Sequence, residues 1–184
     1  MKQIAKHLLG IIIVSLTISC TKDNNLSDTD NIPGLPPVTQ IGANTFGCLV
    51  NGKPWIPSGN NGTANLSIDY DPGINNGYFS VAAYNISSTM TTYIILGIKD
   101  SVLFLTSNKT IKISKNEKGA FLYDQIGICR TYSDDNRIYS NGSIQIEKYD
   151  KNLKIISGRF NCKLYNTNCN DTIEITKGRF DFKF

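Results

Sequence analysis

Ser157-Gly158-Arg159-Phe160-Asn161-Cys162-Lys163-Leu164 is echoed twenty residues later by Lys177-Gly178-Arg179-Phe180-Asp181-Phe182-Lys183-Phe184. Phe160, Cys162 and Leu164 recur at every second position of the first stretch, and Phe180, Phe182 and Phe184 at every second position of the other. A period of two sends successive side chains to opposite faces of an extended chain, so each stretch reads as a strand with one buried face. The same alternation runs through Asn65-Leu66-Ser67-Ile68-Asp69-Tyr70, Thr110-Ile111-Lys112-Ile113 and Ser143-Ile144-Gln145-Ile146-Glu147. Thr92-Tyr93-Ile94-Ile95-Leu96-Gly97-Ile98 is more continuously apolar, as a central strand should be. Asn-Gly, Asp-Pro-Gly, Asn-Asn-Gly and Ser-Asn-Gly turns separate the runs, and no segment carries a convincing helical period. Residues 42–184 therefore predict a single all-β domain. Its expected form is an antiparallel β-sandwich or flattened barrel of about nine or ten strands.

Near the domain's start, Phe46-Gly47-Cys48-Leu49-Val50 runs into Asn51-Gly52 and then Lys53-Pro54-Trp55-Ile56. Asn-Gly accepts positive φ at both central turn positions, which predicts a two-residue type I′ hairpin. Pro54 cannot donate to a ladder, so its strand belongs at an edge.

The opposite reading, from the N-terminus, concerns location. A basic start (Met1, Lys2, Lys6) leads into an eleven-residue apolar run, Leu8 to Ile18, and then Ser19-Cys20. The run is too short to span a hydrocarbon core but suits a secretory signal. The arrangement resembles a bacterial lipoprotein signal, with residues 1–19 removed and Cys20 lipidated. Leu16 sits one position earlier than the usual pattern has it. Residues 20–41, rich in Asn, Asp, Ser, Thr and Pro, read as the lipidated cysteine and a disordered tether. Lys22-Asp23 resembles a short form of the export tag of Bacteroidetes-type surface lipoproteins. The expected location is the outer membrane, on the cell surface rather than the periplasmic face, with the membrane itself as a partner through the lipid.

Composition excludes several functions. Removing residues 1–19 leaves 17 basic against 15 acidic residues, with no basic run longer than two, so nucleic acid is not an expected partner. The only histidine, His7, lies in the removed segment. Without imidazole, Ser-His-Asp and Cys-His catalysis and histidine-ligated zinc are ruled out of the mature chain. No catalytic motif, cofactor or metal site is expected. Glu117, Glu147, Glu174, Asp124 and Asp150 are the carboxylates from which a glycosidase pair would have to come. Asp69-Tyr70-Asp71-Pro72-Gly73 and Asp134-Asp135-Asn136 carry hard oxygen donors, but neither completes an EF-hand loop, and acidic turn chemistry accounts for both.

Ligand-binding candidates are aromatic, because aromatic faces stack on sugar rings. Trp55 follows the hairpin and either caps the core or meets a ligand. Tyr70, Tyr132 and Tyr139, with Tyr78, Tyr84 and Tyr149, fall in or beside predicted turns. Asp100-Ser101-Val102 and Asp171-Thr172-Ile173 look like acceptors for Bacteroidetes-type O-glycosylation, at Ser101 and Thr172.

Cys48, Cys129, Cys162 and Cys169 remain after Cys20, an even count that suits an oxidising compartment. A turn over 166–171 would set Cys162 and Cys169 too far apart to bridge. Cys48 then pairs with Cys162 or Cys169 and Cys129 with the other, unless the thiols stay reduced as small hydrophobes.

Asn44-Thr45-Phe46-Gly47-Cys48-Leu49-Val50-Asn51-Gly52-Lys53-Pro54-Trp55, Cys169-Asn170-Asp171-Thr172-Ile173 and Gly178-Arg179-Phe180-Asp181 together resemble a family of Bacteroidetes-type lipoproteins with a domain of unknown function. The resemblance implies an extracytoplasmic all-β domain and carries over no catalytic residue. Since Cys48 and Cys169 both lie within its motifs, it favours a Cys48–Cys169 bridge. Taken together, the expectation is a membrane-anchored, non-enzymatic module that binds a glycan or protein or serves the envelope. The alternative is a carboxylate-based glycan-active enzyme.

Overall fold

The computed structural model describes residues 30–74, 76–100 and 105–184. The expected signal peptide, Cys20, the first part of the expected tether and Ser101 lie outside them. Among the described residues the fold is all β. Eleven strands form one sheet: β1 (Thr45–Val50), β2 (Lys53–Trp55), β3 (Leu66–Asp71), β4 (Tyr78–Ile86), β5 (Thr91–Lys99), β6 (Lys109–Ile113), β7 (Gly119–Gln125), β8 (Cys129–Tyr132), β9 (Ile138–Asp150), β10 (Ile155–Asn166) and β11 (Asp171–Lys183). The path runs β2-β1-β11-β10-β9-β6-β7-β5-β4-β3. Every pairing between the named strands is antiparallel except one residue pair between β6 and β7, Ile113 with Gly119. β8 takes the remainder of β7's edge, which β6 leaves free.

The sheet curls until its two halves face each other. Phe121 on β7 packs 6.0 Å from Phe160 on β10, Trp55 Nε1 donates to Thr92 Oγ1 on β5 at 2.9 Å, and a single bridge joins Ser58 to Asn85 on β4. The result is an open, flattened barrel around one apolar cluster. Asn51 and Gly52 both hold positive φ, as the hairpin requires, and Pro54 lies on the terminal strand β2. The sequence echo has a packing reason. β10 and β11 pair so that Gly158 faces Phe180 and Gly178 faces Phe160. A Cβ on either glycine would come within 3.0 Å of the opposing ring, so each phenylalanine lies over a glycine.

That register also sets Arg159 directly opposite Arg179 on the sheet's outer face. Two like charges in direct opposition destabilise a sheet. The chain answers them with its own N-terminal segment, which corrects the expectation of a tether reaching residue 41. Residues 30–44 form a strap lying on the outer face. Asp30 grips Arg159 bidentately at 2.6 and 2.9 Å while its carbonyl accepts from Arg179 at 2.7 Å. Pro36 sits against Gly47, where an added Cβ would meet it at 2.7 Å. Asp181, only 1% exposed, accepts from Thr39 Oγ1 and from the backbone N–H groups of Ile41, Gly42 and Ala43 at 2.6–3.1 Å. Burial pushes the Asp181 carboxyl up, but these four donors outweigh it and hold it below the ordinary value.

The disulfide differs from the favoured pairing. Cys129 joins Cys169, with Cα atoms 6.2 Å apart, while Cys48 and Cys162 are free and buried. A Cys48–Cys169 bridge is thereby excluded. Cys48 and Cys162 cannot bridge either: they lie on β1 and β10 with β11 between them, and Cys162 is level with Val50, two residues along β1 from Cys48. Their Cα atoms thus stand at least two strand spacings apart, more than about 9 Å, beyond disulfide reach. Burial pushes both thiols up, Cys162 to about 12, so both stay protonated and pack as small apolar groups.

Candidate ligand-binding site

The sequence candidates separate into two surfaces and a core. Trp55 belongs to the core: it is 7% exposed, lies edge-on to Phe46, and its indole N–H is satisfied by Thr92. Tyr132 is half-buried and donates to Asp134 Oδ2 at 3.2 Å, beside the Lys99–Asp134 ion pair. Burial, with the Asp134 charge next, pushes its phenol up to about 12. Both residues thus have their polar atom satisfied within the fold, although the edge of Trp55 also borders a cavity of about 290 Å³.

Tyr139 is different. It is 72% exposed on the outer face of β9 and stands directly opposite Tyr165 on β10. Their rings lie 6.3 Å apart and 26° from parallel. Alternation explains the placement: Ile138 and Leu164, their chain neighbours, point into the core, so the tyrosines point out. Tyr165 donates to Asn170 Oδ1 at 2.9 Å, which fixes its ring. Thr172 pairs with Tyr165 on the next strand and is exposed, so the glycosylation candidate borders the same platform. Farther along this face, a cleft of about 300 Å³ is lined by Asn141, Asn161, Lys163 and Glu174. Aromatic faces beside amide, ammonium and carboxylate groups can stack on a sugar ring and bond its hydroxyls.

Tyr70 occupies the second surface, at the mouth of the curled sheet. There β3 meets the ends of β9 and β11 around a cavity of about 660 Å³. Phe184 stacks on Tyr149, 5.7 Å away and 5° from parallel, and Tyr70 meets Phe184 edge-on at 5.6 Å. Burial, with the neighbouring Tyr70 hydroxyl second, pushes Tyr149 up to about 12, so the phenol stays neutral. Lys151, Lys154 and Lys183 ring the opening.

The carboxylates are dispersed. Glu147 accepts from Arg159 at 2.6 Å, Asp124 faces Arg130, and Asp150 caps the β9–β10 turn through the N–H groups of Asn152 and Leu153. None of the five main cavities is lined by more than one Asp or Glu side chain. The acidic turns are turns: Asp71 accepts from Gly73 N–H, and Asp135 from Arg137. Among the described residues no group of three or more His, Cys, Asp or Glu side chains is placed to hold a metal ion.

Two features escaped the sequence. Tyr165 reads as a solvated strand position, and only the register with Tyr139 makes it part of a platform. Phe184 reads as core, whereas it forms the floor of the mouth. Comparison with protein-family models, curated proteins and solved structures gave no match.

Proposed function

We propose that this chain is a lipid-anchored, surface-displayed, non-enzymatic glycan-binding module. The observation that carries the binding reading is the exposed Tyr139–Tyr165 pair with its polar surround on β9, β10 and β11. A soluble β domain ordinarily keeps large aromatic rings in its core. Two side by side in solvent, one fixed by a hydrogen bond, fit an interaction surface. The dispersal of the carboxylates favours binding over hydrolysis, which needs two of them facing across a cleft. The anchor rests on Cys20 and the residues around it, and Lys22-Asp23 supports display on the cell surface.

The test is a glycan array probed with the full chain, followed by titration of the best glycan against Tyr139→Ala and Tyr165→Ala. Aromatic anchors at the centre of an interface cost more than about 1 kcal/mol when truncated, so each variant should weaken binding about tenfold. A glycan bound equally well by the double variant would refute the platform. Capture of a protein instead of any glycan would replace glycan by protein as the ligand. The anchor is tested separately by acyl labelling, expected in the wild type and lost in Cys20→Ala.

A further inference from the structure

The mouth cavity shares no residue with the platform and calls for a ligand of its own. Three lysines line it from two elements: Lys151 and Lys154 in the β9–β10 turn and Lys183 at the end of β11. Among the described residues none of the three is in an ion pair. Asp150, the carboxylate nearest in the chain, is committed to the turn's own N–H groups. Asp69 is the single acidic side chain in the lining; with the α-carboxylate of Phe184 it leaves the three lysines in excess by one positive charge over an aromatic floor.

The turn is built to hold these lysines where they are. Lys154 has φ of 55°, in the left-handed region that a long side chain rarely adopts, and its carbonyl accepts from Phe184 N–H at 2.8 Å. Strain of that kind persists only when the surroundings over-determine it, and it clusters at ligand-binding positions. Lys151 Nζ stands 5.9 Å from the Tyr149 ring centre, at the limit of a cation–π contact. The volume matches pockets that enclose small organic ligands.

We infer that the mouth binds a small anionic ring compound. The ring lies against Tyr70, Tyr149 and Phe184, and its carboxylate, sulfonate or phosphate group takes up the lysines' unpaired charge. Such a ligand arises as a free acid or as the terminal acidic residue of a polysaccharide, and both present the same chemistry.

The first probe is 8-anilinonaphthalene-1-sulfonate, a flat ring system with one sulfonate, titrated by fluorescence into the folded full chain. Its uncharged relative N-phenyl-1-naphthylamine is the comparison. One sulfonate site per chain is expected, with the neutral dye bound at least about tenfold more weakly. Lys151→Gln, Lys154→Gln and Lys183→Gln together should abolish the preference. Lys53→Gln, Lys112→Gln and Lys115→Gln, an equal loss of charge elsewhere on the surface, should leave it intact. Equal binding of the two dyes, or a preference that survives the mouth variant, overturns the inference. Displacement of the dye by free glucuronate identifies the free acid as the source. Displacement only by a glucuronate-terminated oligosaccharide identifies the chain end, and displacement by neither overturns the inference.

Discussion

Asp181→Asn isolates the interaction that holds the strap. The native carboxylate accepts four hydrogen bonds: Oδ2 from Thr39, Ile41 and Ala43, and Oδ1 from Gly42. An amide has one acceptor oxygen. Its less damaging orientation keeps oxygen at the Oδ2 position, preserves three bonds and points Nδ2 at the Gly42 N–H. One buried donor pair is then left facing itself, at a cost of about 1–3 kcal/mol. The three surviving bonds also lose their charge assistance, which accounts for about half their strength, a few tenths of a kcal/mol each after solvation. The sum is about 3 kcal/mol, or a fall in Tm of roughly 10 °C for a domain of this size. The measurement is urea denaturation of the full chain combined with amide exchange at Ile41, Gly42 and Ala43. These three amides should lose protection before the core strands do. A stability change under about 0.5 kcal/mol with all three still protected would show that the strap is held by something else.

Acid should release the same segment. The Arg159 hydrogen bonds hold Asp30 below the ordinary carboxylate value, and Asp181 is held low by its four donors despite burial. Because both folded values lie below the unfolded ones, the stabilisation is complete above about pH 4 and is lost as pH falls through the folded values, which amide exchange at 39–43 between about pH 5 and 2 would follow. Replacing Cys129 and Cys169 by serine reopens a loop of about 40 residues, worth up to about 4 kcal/mol of denatured-state entropy. Denaturing alkylation of residues 30–184 should label two thiols, Cys48 and Cys162, before reduction and all four cysteines after it. Deleting residues 181–184 removes Asp181 and the buried Phe182 from a strand flanked by β1 and β10, and should abolish soluble expression.

The strands at 46–50, 53–55, 66–70, 92–98, 110–113, 143–147, 157–164 and 177–183, the Asn51-Gly52 hairpin, the edge position of Pro54 and the interior position of β5 are legible, because each depends on local periodicity or turn chemistry, whereas β4, β7 and β8 are not singled out by it. What escaped depends on register between distant segments. Asp30 and Thr39 disappear into a polar composition, and the groups they meet, Arg159, Arg179 and Asp181, occupy strand positions that alternation assigns to solvent. Cys129–Cys169 was one of the two pairings the sequence left open for Cys129, and choosing it required knowing that β8 fills β7's vacant edge near the β10–β11 turn. Tyr139 was visible as an exposed aromatic, but not its pairing with Tyr165. Trp55 and Tyr132 illustrate the converse: an aromatic near a turn is a candidate only until its polar atom is found to have a partner inside the fold.

The strap also decides how the domain carries a load. A pull on the chain at its N-terminal side does not reach an edge strand first. It meets Asp30, whose carboxylate and carbonyl hold arginines on β10 and β11, and passes through Asp181 before it arrives at β1. Tension therefore enters at the middle of one half of the sheet and spreads over neighbouring ladders, while β2 at the margin is spared. Pulled from that side, the domain would shed the strap one clamp at a time, lengthening its reach before any strand is disturbed.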